Sequence, residues 1–367
     1  MKVGRLTQAI VVIFIVYFGI PSAQAYVTYN RLGYVSCSAC HYDPTGGGVL
    51  TPYGQGVQSA MALFPGDGPA DSDGKRINQG VQARVLGLNP SGQRANPFLM
   101  QADYLGDAFI TKTIHMDVQL GPNLQQGISS IATIPSGWDG LVVRRALVTD
   151  DLESGDSIEV GRDEPASGLN IDDHTALLRS ANRRGIYDYP TQLRYIRQTE
   201  QYQLMPYFLA PSYEESNANQ EYGGGARAEY LLNNSNSVGL GGQFANAPAQ
   251  SRVTANAFAR LSHDHWNGLA AEYVFNHYSV HDSGTSFAQH DLYLKPYIAV
   301  PEWIETGFVM EYLNVASPFE ENVFQYGPSV NIRLYRMVSL LGDGRNLTSN
   351  GSSNWSWYGQ VFLHWQI

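Results

Sequence analysis

Cysteine is almost absent from this chain of 367 residues: Cys37 and Cys40 are the only two. A structural zinc centre needs four ligands, and there is no second cysteine pair to complete one. A disulfide between Cys37 and Cys40 would close a tiny loop and add little stability. Charge is scarce too, at 15% of residues. Setting aside Lys2 and Arg5, which stand in the leader described below, leaves 21 of the 23 basic residues against 33 acidic ones, a net charge of −12. Phosphate binding needs the opposite field, so nucleic acid is excluded as a partner. Past residue 20 no apolar run reaches the length of a membrane-spanning helix.

What is present begins at the N-terminus. Lys2 and Arg5 form a short basic region, Ala9 to Ile20 is continuously apolar, and Ala23-Gln24-Ala25 has the small-x-small form cut by signal peptidase. Residues 1–25 therefore read as a cleaved signal peptide, its apolar run too short to span. The exported remainder is rich in glycine (37) and tyrosine (23). An exported chain with no spanning helix and abundant Gly and aromatics fits the transmembrane β-barrel, whose apolar signal is spread over alternate residues.

Alternation supports that class. Near the C-terminus Trp355, Trp357, Gly359, Val361, Leu363, Trp365 and Ile367 share one face, while Ser356, Tyr358, Gln360, Phe362, His364 and Gln366 share the other. Val253, Ala255, Ala257, Ala259 and Leu261 likewise alternate with Arg252, Thr254, Asn256, Phe258 and Arg260. The polar faces carry charges (Arg227 with Glu229, Arg252 with Arg260, Glu305 with Glu311), whereas the opposite faces carry almost none. A sandwich in water would turn its charges outward; a membrane barrel lines a wet lumen with them. The expectation is an all-β transmembrane antiparallel barrel of about 14–16 strands over residues 75–367. It is preceded by a small, mostly helical or irregular segment, residues 26–74.

One stretch breaks the period. Residues 164–192 hold a short helical pattern near Asp172–Ala181, then Arg183-Arg184-Gly185 and Pro190. The favoured reading is a long surface loop; an inward fold as a constriction or plug is the other.

Chemistry enters at Cys37-Ser-Ala-Cys40-His41. Two thiols three positions apart on one helical turn reach both vinyl groups of a porphyrin, and the next histidine lies under the iron. A thioredoxin-like CxxC would sit at the start of a helix in a βαβ unit, which this region does not resemble. One covalent haem c is thus expected, held by Cys37 and Cys40 with His41 as iron ligand. Some fifty Gly-, Pro-, Asp- and Ser-rich residues rarely build a sufficient core alone, so residues 26–74 are expected to dock in or against the barrel mouth.

The stretch from Asn30 to Gly56 is similar to the haem segment of the fused outer-membrane monohaem cytochrome c–porins of iron-oxidising bacteria. Arg31, Gly33, Cys37, Cys40, His41, Pro44, Leu50, Tyr53 and Gly54 carry the resemblance. It departs in the Thr-Gly-Gly-Gly-Val spacer before Leu50, in Tyr53 and in a shortened lead-in, so a sister family of haem-bearing porins fits as well. The resemblance implies an outer-membrane conduit passing electrons between an extracellular donor or acceptor such as iron and a periplasmic c-type cytochrome, rather than a substrate-converting enzyme. Lipid of the bacterial outer membrane would surround it.

Met61, His115 and His174 are candidates for the second iron ligand; a thioether would raise the haem potential. A diffusion porin with a haem-bearing plug or sensor, a plain porin, and a peroxidase-like haem enzyme are the competing functions. His263, His265, His277, His281 and His290 gather near one turn region in the sequence, as solvated loop residues or as a metal entry site.

Overall fold

The computed structural model describes residues 40–41, 50–63, 77–90, 96–122, 141–169, 171, 176–184, 189–211, 220–264, 266–316, 320–335, 338–349 and 352–366. The leader, Cys37 and His174 lie outside them.

A strand crosses a bilayer when about 9–11 residues alternate apolar and polar at a tilt near 45°. The chain supplies such segments in unbroken succession. They are β1 (Ile77–Pro90), β2 (Asn96–Phe109), β3 (Ile114–Pro122), β4 (Leu141–Asp151), β5 (Ser157–Arg162), β6 (Thr191–Gln198), β7 (Tyr202–Ala210) and β8 (Tyr222–Asn233). Then follow β9 (Asn236–Asn246), β10 (Gln250–Ser262), β11 (Asn267–Val280), β12 (Ser286–Ile298), β13 (Ile304–Val315), β14 (Glu321–Tyr335), β15 (Val338–Ser349) and β16 (Ser352–Gln366). Each pairs antiparallel with its chain neighbours, and β1 closes the barrel on β16, from Gly80 opposite Gln366 to Pro90 opposite Ser356. Closure removes the free edges that hydrocarbon would not tolerate. Sixteen strands is the upper end of the sequence expectation.

Side-chain parity follows the sequence pattern. On β10, Val253, Ala255 and Ala257 face outward while Arg252, Thr254, Asn256, Phe258 and Arg260 are buried inside. The charges singled out from sequence all point inward. Arg227 and Glu229 pair with each other; Arg252 binds Glu221, and Arg260 binds Glu229. Glu305 takes Lys295 and Arg333.

The two ends differ. Where β1 begins and β16 ends, the connections are two to five residues long. At the other end they reach 28 residues, from 163 to 190. These are the short-turn end and the long-loop end. The region before the barrel contains one described helix, α1 (Pro52–Ala60). The long connection 163–190 contains another, α2 (Leu177–Ala181).

Candidate functional site: the lumen and its two inserts

The described residues of the segment 163–190 do not run over the surface as favoured from sequence. They fold into the lumen, because arginines and backbone donors among them meet acids that the wall turns inward. At its start, Asp163 is fully buried and accepts from Arg145 Nε (2.8 Å) and Arg194 Nη2 (2.7 Å). Arg194 also pairs with Glu159 at 2.7 Å.

Further on, the Gly168 carbonyl accepts from Arg227 Nε at 3.2 Å, and the Leu169 N–H donates to Glu272 Oε2 at 2.9 Å. Arg184 then grips the same carboxylate with two bonds, Nη2 to Oε1 at 2.7 Å and Nη1 to Oε2 at 3.0 Å. This bidentate fork is the strong form of the pair. Gly168 is required there: its φ is +70°, and a Cβ would fall 1.8 Å from Glu272 Oε1.

α2 is fastened by a different set of bonds. The Leu178 N–H donates to Glu311 Oε1 (3.2 Å), and Asn182 Nδ2 donates to Asp291 Oδ2 (2.8 Å). Asn276 Nδ2 donates to Asn182 Oδ1 (2.6 Å), and Gln289 Nε2 to the Ala181 carbonyl (3.1 Å). Beneath these bonds, Leu169, Ile171, Ala176 and Leu178 pack on Phe258, Ala270, Val274, Tyr293 and Val309 of the inner wall. The segment therefore joins the wall of β8 and β10–β13 as a fixed inner layer. Away from it, Asp107, Arg345, Asp343 and Gln360 are buried as well. The described interior is a dense polar network.

The second insert is the N-terminal piece. Thr51 caps α1, its Oγ1 accepting from Gly54 N–H at 3.1 Å, and Pro52 occupies the first helical position, where its missing N–H is harmless. The Thr51 N–H donates to the Cys40 carbonyl (2.9 Å), and His41 pairs with Leu50 in an antiparallel bridge. The helix start lies so close that a Cβ on Gly54 would come within 2.2 Å of the Cys40 carbonyl oxygen.

Gly54, Val57 and Met61 fall at i, i+3 and i+7, one face of the helix axis. Val57 on that face packs on Cys40 and Leu50, and Met61 is buried. Cys40 is 8% exposed and His41 4%. Leu63 N–H donates to the Arg333 carbonyl (2.9 Å), and Arg333 N–H donates to the Trp303 carbonyl (2.8 Å). Both partners are at the short-turn end of β13–β14, which ties this piece to the end where the barrel chain begins.

His115 faces inward on β3. Its Nδ1 lies 2.8 Å from Asp107 Oδ1, its Nε2 lies 3.8 Å from Asp151 Oδ2, and Phe109 stacks on the ring. The described histidines of the supposed cluster do not share a turn. His263 is at the short-turn end, while His281 lies in a turn at the long-loop end, with His277 and His290 on the outer face near it. His265 is outside the described residues, and among those described no three metal-binding side chains converge.

Sequence reading missed Asp163, Arg194, Gly168, Arg184 and Glu272 as the residues that build the lumen. A usable signal was present. Arg183 and Arg184 stand side by side in the insert, while alternation turns Glu272, Asp291 and Glu311 to inward faces.

No protein-family model matches the chain, and a search of curated proteins finds no match. Solved structures do resemble it. A loop-deletion mutant of OmpT, an outer membrane protein of Vibrio cholerae, superposes with TM-score 0.62 at 8% identity, over 79% of this chain and 99% of its own. OmpF of Salmonella typhi, in complex with daunomycin, gives 0.58 at 11% identity over 81% and 99%. The anion-selective porin of Comamonas acidovorans gives 0.54 at 12% identity over 79% and 98%. The fold is that of the outer-membrane porins.

Proposed function

We propose that this chain is a bacterial outer-membrane porin, a solute channel narrowed by the segment 163–190, with a haem-bearing plug or sensor at its periplasmic mouth. The observation that carries the channel reading is the Arg184–Glu272 fork, which holds the segment across the lumen. Barrels of this kind turn their short connections to the periplasm, so the N-terminal piece at the short-turn end sits on that side. Planar-bilayer recording tests the reading. The full chain should give small conductance steps, and deletion of residues 169–184 should enlarge them severalfold. Absence of steps in both sinks it.

For the plug, Cys37 and Cys40 would anchor one haem c and His41 would ligate its iron, with Met61, His115 or His174 opposite. Bound there, the haem would supply one-electron redox chemistry. The chain's own part is to bury the ligand and restrict water. The sequence motif and the buried Cys40–His41 pair support this. In-gel haem staining of the outer-membrane fraction checks it, and an unstained band ends it.

A second reading adds electron passage between an extracellular donor or acceptor such as iron and a periplasmic c-type cytochrome. It is favoured by the tether of Leu63 to Arg333, which keeps the Cys40–His41 piece at the barrel entrance. Purified protein in liposomes should then reduce an enclosed acceptor. A stained, conducting protein that passes no electrons leaves the porin with a sensor.

A further inference from the structure

The outer wall of β7–β11 is not smooth. One row of residues paired across these five strands alternates large and small: Leu204, Ala228, Leu240, Ala257 and Tyr273. All five share the outward parity, and Leu240 stands 66% exposed between its two alanines. Ala228 and Ala257 are therefore the floors of two parallel furrows, with Leu204, Leu240 and Tyr273 as the ridges. One row nearer the short-turn end, the paired alanines Ala259 and Ala271 broaden the second furrow. Together they form a concavity of about 810 Å³, the size of a ligand-binding cleft.

Toward the short-turn end the chemistry changes. Tyr202 and Tyr230, paired across β7 and β8, line the same concavity. Such rings sit where acyl chains give way to headgroups. Arg197 on β6 stands opposite Leu204, the first ridge; it is exposed on the outer face and hydrogen-bonds the Tyr202 hydroxyl. The neighbouring acid, Asp156, accepts from the Tyr195 hydroxyl at 2.5 Å. A guanidinium keeps its charge and its fork of donors fits a phosphate. Tyr273 lies six residues into β11 from the short-turn end. At about 3.3 Å per residue and a tilt near 45° that is a height of about 14 Å, roughly half of an apolar band of about 25 Å. The furrows thus have the depth of one leaflet.

We propose that this face holds one glycerophospholipid of the periplasmic leaflet, with an acyl chain in each furrow on either side of Leu240 and its phosphate on Arg197. Two furrows match two chains, and a depth of one leaflet matches a lipid; a spanning partner helix would need a groove running the full band. The exposed guanidinium at the headgroup end supplies the complementary charge, and the furrows are continuous with the lipid-facing wall. The proposal rests on the membrane reading of the barrel.

Native mass spectrometry of the full chain in mild detergent tests it, with phosphatidylglycerol or a diacylglycerol of the same acyl chains added. One phosphatidylglycerol should stay on each chain, and the diacylglycerol, which lacks the phosphate, should be held severalfold less. Ala228→Phe and Ala257→Phe each fill a furrow floor and should abolish retention. Arg197→Gln should weaken it about fivefold, the worth of one interfacial cation. Val148→Phe, outward on β4 and away from the furrows, should leave it unchanged. Heat-dependent gel mobility verifies that each variant is a folded barrel. The proposal is overturned if the unaltered chain keeps no lipid, if both lipids are held equally, or if both furrow variants retain phosphatidylglycerol. A multiple-chain mass that Ala257→Phe reduces to one chain would put a second copy on this face and overturn it too. Recovery without detergent would instead overturn the membrane reading.

Discussion

The segments 163–190 and 50–63 are both non-barrel pieces held against a barrel, and they are held in opposite ways. The first is shaped by the wall: Glu272, Asp291 and Glu311 reach in from three different strands to take its donors. Among the described residues, the second is shaped by local contacts (the Thr51 cap, the Gly54 approach to Cys40 and the His41–Leu50 bridge) together with a backbone bond to Arg333. A wall-held insert stands or falls with the barrel. A self-held one can be weakened alone, and a covalent cofactor is the kind of staple so small a unit needs.

The comparison breaks most sharply at Glu272. Glu272→Ala removes one carboxylate that serves Arg184, Leu169 N–H and Asn256, leaving the buried Arg184 without its counter-charge. Removing one partner of a buried pair costs about 3–5 kcal/mol. The barrel's heat-dependent gel transition should fall by many degrees, and channel conductance should rise. A variant with unchanged conductance would mean that the fork does not hold the constriction.

Gly54→Ala probes the other piece. Its methyl would overlap the Cys40 carbonyl, so helix and Cys40 must part, at about 1–3 kcal/mol for overpacking of this kind. Haem content per chain should drop while the barrel's transition stays put. A parallel drop in both would show that the N-terminal piece is welded to the wall after all. Thr51→Ala should act in the same direction but less, about 1 kcal/mol for a lost helix cap. Faster proteolysis within 50–63 would report it, with the barrel uncut.

Much of the barrel was legible because period-two alternation is a local signal. Residues such as Val253 and Arg252 declare their faces without knowledge of any partner. The fate of 163–190 was not local. Whether Arg184 meets water or Glu272 depends on a residue 88 positions away. The short strand β5 was hidden for a related reason. It offers only Ile158 and Val160 as outward apolar positions, too few to mark a strand until its neighbours fix the register. The haem expectation at Cys37–His41 rests on local sequence alone, whereas which residue would stand opposite His41 depends on the fold of the whole segment.

The smallest effect concerns a turn at the short-turn end. Asp264 accepts the N–H groups of Trp266 (2.8 Å) and Asn267 (2.7 Å), and these bonds hold its carboxyl below the usual carboxylate range. A depressed folded value favours the folded state above the unfolded value of about 3.9, and that advantage fades as pH falls through the folded value. Asp264→Asn keeps one acceptor oxygen and loses the charge. The unaltered chain should therefore unfold at a slightly higher temperature than the variant at pH 7, with the gap closing as pH falls below the ordinary carboxylate range. A gap of the same size at both pH values would show that the turn is stabilised by the shape of the side chain and not by its charge. Since this turn joins β10 to β11, the strand that carries Glu272, the channel conductance of the variant should match that of the unaltered chain. A changed conductance would extend the wall-held region down to the turns.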